Sequence, residues 1–105
     1  MIAKAKALRH TAALKRTAAQ QRAYDAECER IIDHRAVRHF AAAMIVKLDK
    51  KRAQGRAGWH DPERCTVEEL LVDIARHFKK GDMVDIANLA MMVWHRQRTA
   101  AKAAA

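Results

Sequence analysis

Serine is absent from all 105 residues, and proline occurs once, at Pro62. The first absence excludes a serine-nucleophile enzyme. The second, with glycine only at 55, 58 and 81, disfavours a many-turned β architecture and suits long helices. The aromatics are only Phe40, Phe78, Tyr24, Trp59 and Trp94, so much of the apolar half of the composition is alanine. Alanine buries little area, so a chain of this length builds a thin core, which favours helices that finish their burial against a second copy. Cys28 and Cys65 make no spaced pair for zinc or for a disulfide framework and read as free thiols of a reducing compartment. No run is apolar for long enough to span a membrane, and none follows Lys4 and Lys6 that would serve as a signal peptide, so a cytoplasmic protein is expected. A glycine-rich phosphate loop and an H-E-x-x-H zinc signature are missing too.

Acidic residues are missing from one end. Residues 1–22 hold Lys4, Lys6, Arg9, Lys15, Arg16 and Arg22 and no Asp or Glu, which accounts for most of the formal charge of +9. Such a segment attracts polyanions, DNA or RNA above all, although a solvated helical extension has the same composition. Arg35 and Arg38, beside His34 and His39, and then Lys47, Lys51 and Arg52 extend the basic surface if the helices fold back together. These cations fall around a helix rather than in one stripe, so the expected binding neutralises phosphates without reading bases.

What is present is helix signal. Residues 2–34 have strong helix formers and no Gly or Pro, but few large apolar side chains. From 35 onward Val37, Phe40, Met44 and Leu48, with Ala41 and Ile45 beside them, recur at three and four residues and predict a core-facing helix. Lys50 to Arg52 suit the C-terminal end of its dipole. Residues 53–65 form the one clear loop, with Trp59 either anchoring it by burial or offering a stacking surface. Thr66 and Glu69 have capping-box spacing, and Gly81 stands where the helix from Val67 should stop. Asp82 is then an N-cap with Asp85 at the third position of the last helix. Met83, Ile86, Leu89, Ala90, Val93 and Trp94 cover so much of that helix that burial on most sides is expected. The reading is all-α: a basic, Ala-rich helical extension over 1–32, a helical core over 33–99 ending in an antiparallel hairpin, and an Ala-rich tail over 100–105.

The pieces "FAAAMIVKL" (40–48), "GW" (58–59), "EELL" (68–71) and "GDMVDIANLAMM" (81–92) together resemble the MazG-like all-α nucleoside triphosphate pyrophosphohydrolases, in the short version found in phages and prophages. They cover roughly half the chain, and residues 1–30 have no counterpart. The resemblance implies a site for Mg²⁺ held by an E-x-x-E pair and an E-x-x-D pair on adjacent helices. Acids three apart share a helix face, and a hard dication takes oxygen ligands. Asp82 and Asp85 match the second pair, with Asp in place of the family's first Glu. The first pair falls on His77 and Lys80, and a protonated lysine repels a metal ion. A rebuilt site would have to use Asp73 and His77. Asn88 matches an asparagine of the phage-type helix; a hydrogen bond across the fold and a ligand contact are both open for it.

The expectation is therefore a phage or prophage accessory protein on a degenerate scaffold, dimeric and non-catalytic, that binds nucleic acid non-specifically or a host or phage protein. The alternatives are a Mg²⁺-dependent enzyme releasing pyrophosphate from nucleoside triphosphates, and a structural oligomer without nucleic acid.

Overall fold

The computed structural model describes residues 15–104. It is all-α: α1 spans Ala18–Ala53, α2 Val67–Lys80 and α3 Met83–Ala104, with no strand among the described residues. Contacts separate two compact units between Arg38 and His39. Lys4, Lys6 and Arg9 lie outside the described residues, as does most of the expected helical run before Ala18.

In the N-terminal unit, α1 begins at a reciprocal cap. The Gln20 amide donates to Thr17 Oγ1 at 3.1 Å, and the Thr17 amide donates to Gln20 Oε1 at 2.9 Å. Two otherwise orphaned donors are satisfied there, which sets the helix start. The T-x-x-Q spacing carried that signal in the sequence, but the lack of Gly and Pro masked it. Arg16 lies over the Tyr24 ring at 3.8 Å. No residue of α1 is buried.

In the C-terminal unit, the ends of α2 fall where the sequence puts them. Thr66 Oγ1 accepts the Glu69 amide at 3.1 Å. Gly81 adopts φ 73° and donates its amide to the His77 and Phe78 carbonyls, a left-handed turn that L side chains resist. Asp82 Oδ1 accepts the Asp85 amide at 3.1 Å and opens α3 immediately. The short turn makes α2 and α3 antiparallel neighbours, and this is the extensive helix pair of the unit. Leu70 and Val93 are the buried apolar side chains among the described residues, so the core is as thin as the alanine content implies.

Two expectations are corrected. Ala41, Met44 and Leu48 of α1 are half-buried, but Val37, Phe40 and Ile45, expected on the core face with them, are exposed; Ile45 stands about 100° round the helix from Met44, outside the line that faces the hairpin. On α3 only Asp85, Asn88 and Val93 are buried, while Met83 and Trp94 are exposed. Among the described residues of this unit α3 has helices beside it on two sides, and its third apolar side has no cover.

The 54–66 loop is tied down by Arg96, a residue that no sequence motif singles out. Arg96 Nη1 donates to the Trp59 carbonyl at 2.8 Å and the Cys65 carbonyl at 2.6 Å. Arg96 stands on the same helical line as Asp85, Leu89 and Met92, and a cation on a buried line was the available clue. Trp59 itself is half-buried, its ring between His60 and His95. Gly58, at φ 89°, has the Arg64 guanidinium against its α-carbon, where a Cβ would stand 2.6 Å from Cζ.

Candidate functional site

Asp82 and Asp85 sit one helical turn apart at the start of α3, and Lys47 and Lys51 sit one turn apart near the end of α1. The two pairs meet. The Lys47 ammonium donates to Asp82 Oδ2 and stands 3.0 Å from Asp85 Oδ2, and Lys51 Nζ stands 3.1 Å from Asp85 Oδ1. His77 Nδ1 of α2 lies 3.4 Å from Asp85 Oδ2 without hydrogen-bond geometry. Asp85 is 6% exposed, so three cationic or titratable side chains converge on a buried carboxylate. The Lys47 hydrogen bond, followed by the Asp85 amide, pulls the Asp82 carboxyl down to about 2. The same bonds to Asp82 and Asp85 push the Lys47 amine up. Lys47 and Lys51, which the sequence groups with the phosphate-binding surface, are turned inward and engaged here.

Asn88 follows one turn after Asp85 and is 4% exposed. Its Nδ2 donates to the Met44 carbonyl of α1 at 3.2 Å, which fixes the amide orientation. Oδ1 then has no hydrogen-bond partner among the described residues, an arrangement that costs about 1–3 kcal/mol. Both readings of Asn88 thus have a physical footing: one end holds two helices together, and the other is unsatisfied.

Asp73, His77, Asp85 and Asn88 line one pocket of about 520 Å³ together with Trp59 and Lys51. That volume lies in the range of small-molecule sites, about 300–1,000 Å³. Asp73 is also within 3.6 Å of Arg76. Arg52, at the pocket edge, pairs with Asp49. Arg22, Arg35 and Arg38 are exposed on the N-terminal unit, where Lys15 and Arg16 precede the helix.

This donor set does not fit Mg²⁺. Two carboxylates and two ammonium groups bring the formal charge of the cluster to zero, and both acids already have cationic partners. A dication would have to displace Lys47 and Lys51 while they remain nearby, against strong repulsion. The remaining neighbour, His77, offers nitrogen where a hard ion takes oxygen. Among the described residues no three His, Cys, Asp or Glu side chains are grouped to hold a metal. Scans against family models, curated proteins and solved structures found no match to this chain.

Proposed function

We propose that the chain is a small phage or prophage accessory protein on a degenerate nucleotide-pyrophosphohydrolase scaffold, which binds its partner instead of turning over a nucleotide. One observation carries the reading: Lys47 and Lys51 neutralise the only acid pair that the resemblance aligns with a metal-binding motif. The first motif pair supports it, since His77 and Lys80 replace acids there. The partner this reading favours is DNA or RNA, held through its phosphates by the acid-free segment of residues 1–22. A host or phage protein is the other partner it admits. The protein works as a homo-oligomer, with a dimer favoured, because each of the described helices leaves large apolar side chains exposed. No helix among the described residues is long and apolar enough to cross a membrane.

Incubation with each common dNTP and Mg²⁺ or Mn²⁺ should release no pyrophosphate, and Mn²⁺ titration followed by paramagnetic resonance should show no bound ion at micromolar protein. Turnover that disappears in Asp85→Asn, with helicity unchanged, would overturn the non-catalytic reading and restore the Mg²⁺-dependent enzyme. The pocket containing Asp73, His77 and the unsatisfied Asn88 Oδ1 is what that second reading would use.

A further inference from the structure

Helical spacing divides the hairpin into two faces. Asp73 and His77 of α2 and Asp85 and Asn88 of α3 turn toward the pocket and α1. On the opposite side Leu71 and Phe78 of α2, seven residues apart, line up beside Met83, Ala90 and Trp94 of α3. All five are exposed, Phe78 by 72%. Antiparallel pairing sets Phe78 next to Met83 at the turn and Leu71 next to Ala90 farther along. The result is one apolar face on which nothing among the described residues of this unit packs.

We infer that this face binds a second copy of the chain, with α2 lying antiparallel against α2 of the other copy. The inference rests on the homo-oligomer reading and specifies its surface. Charge selects the occupant and its direction. Beside this face the first turn of α2 carries Glu68 and the last carries Lys79, while Glu69 and Lys80 stand on the far side of the helix. An antiparallel copy sets acid against base at both ends, whereas a parallel copy sets like against like. The macrodipoles of the two helices also oppose favourably in this direction. In the same register Leu71 of each copy meets Phe78 of the other, and Ala75 at the crossing lets the backbones approach. The pairing is reciprocal, as a two-fold interface requires.

Size sets the strength. The 14 residues of α2 rise about 21 Å and the 22 of α3 about 33 Å. Two helices about 9 Å apart span about 20 Å across. The footprint is on the order of 500 Å² per copy, about 1,000 Å² over both, which belongs with weak, reversible associations. Micromolar dissociation follows.

Light scattering and sedimentation equilibrium on the full chain test each part. At tens of micromolar the native protein should give close to twice 11.9 kDa. Phe78→Glu, at an exposed position, should give a monomer with the circular dichroism of the native chain. Glu68→Lys and Lys79→Glu should each weaken association about five-fold, and combining them should restore it, because the reversed charges again face each other. Rescue by the double variant is a readout that loss of fold cannot mimic. A dimer unaffected by Phe78→Glu overturns this surface and leaves the homo-oligomer reading standing on another one. A native monomer up to the highest soluble concentration overturns both. Loss of the dimer in Phe78→Glu without rescue by the double charge reversal overturns the antiparallel arrangement.

Discussion

Asp82 and Asp85 have the same side chain three residues apart, yet they do different work. Asp82 closes its own helix start, a local task visible in the spacing. Asp85 gives its amide to that cap and turns its carboxylate away, toward Lys47, Lys51 and His77. The pH response belongs to this scale. Asp82 titrates near 2 in the folded protein against an ordinary value of 3.8, chiefly because Lys47 donates to it. A folded-state value below the unfolded one means that the group's contribution is present above about pH 4 and lost as the pH falls toward about 2. Urea unfolding across that window should show stability declining less steeply in Lys47→Met than in the native chain. Identical slopes would remove Lys47 as the cause.

At the scale of elements, α2 and α3 hold each other by ordinary apolar packing, while α1 meets α3 through a polar joint. Asn88 reaches the Met44 carbonyl, and the Asp pair reaches two lysines one turn and two turns farther along α1. The two buried polar side chains of α3 should therefore respond differently to an apolar replacement of similar size. Asp85→Leu leaves Lys47 and Lys51 without the acid they share and should lower stability by about 2–3 kcal/mol, short of a fully buried pair because both amines still reach water. Asn88→Leu removes a hydrogen bond and an unsatisfied oxygen together, so the change should stay within about 1 kcal/mol. Denaturant midpoints at constant slope decide it. Equal losses would mean that the Asn88 hydrogen bond to α1 holds the fold as firmly as the Asp85 ion pairs do.

At the scale of the whole molecule the question is where the excess charge goes. Lys47 and Lys51 are engaged internally, and Arg52 pairs with Asp49, so the proposed phosphate binding would draw mainly on residues 1–22, with the exposed Arg35 and Arg38 beside them. Duplex DNA should bind with micromolar affinity at low salt and lose it steeply as salt rises, with little sequence preference. Changing Lys4, Lys6, Arg9, Lys15, Arg16 and Arg22 together to Gln should flatten the slope of log affinity against log salt by about 0.9 for each phosphate no longer neutralised. Changing Lys47 and Lys51 should leave that slope unaltered. Fluorescence anisotropy with labelled duplex at two salt concentrations is sufficient, and tight, salt-resistant, sequence-selective binding would contradict a partner held through phosphates alone.

The sequence by itself determined the all-α class, the ends of α2 and the start of α3. Caps are local chemistry: Thr66 with Glu69, Gly81, and Asp82 with Asp85 each act within one turn, so adjacent residues suffice to read them. The thin core followed from alanine in the same way, since burial is limited by side-chain area whatever the packing. What only the tertiary structure decided was which neighbour each polar group found. Lys47 and Lys51 look like a solvated basic run at the end of a helix until α3 brings Asp82 and Asp85 beside them, 35 residues away in the Lys47–Asp82 bond. Ile45 looks like a core residue until the hairpin settles on Met44 and Leu48 instead. The physical reason is range: capping and helix periodicity are set within a few residues, whereas desolvation and ion pairing depend on what lies across the fold.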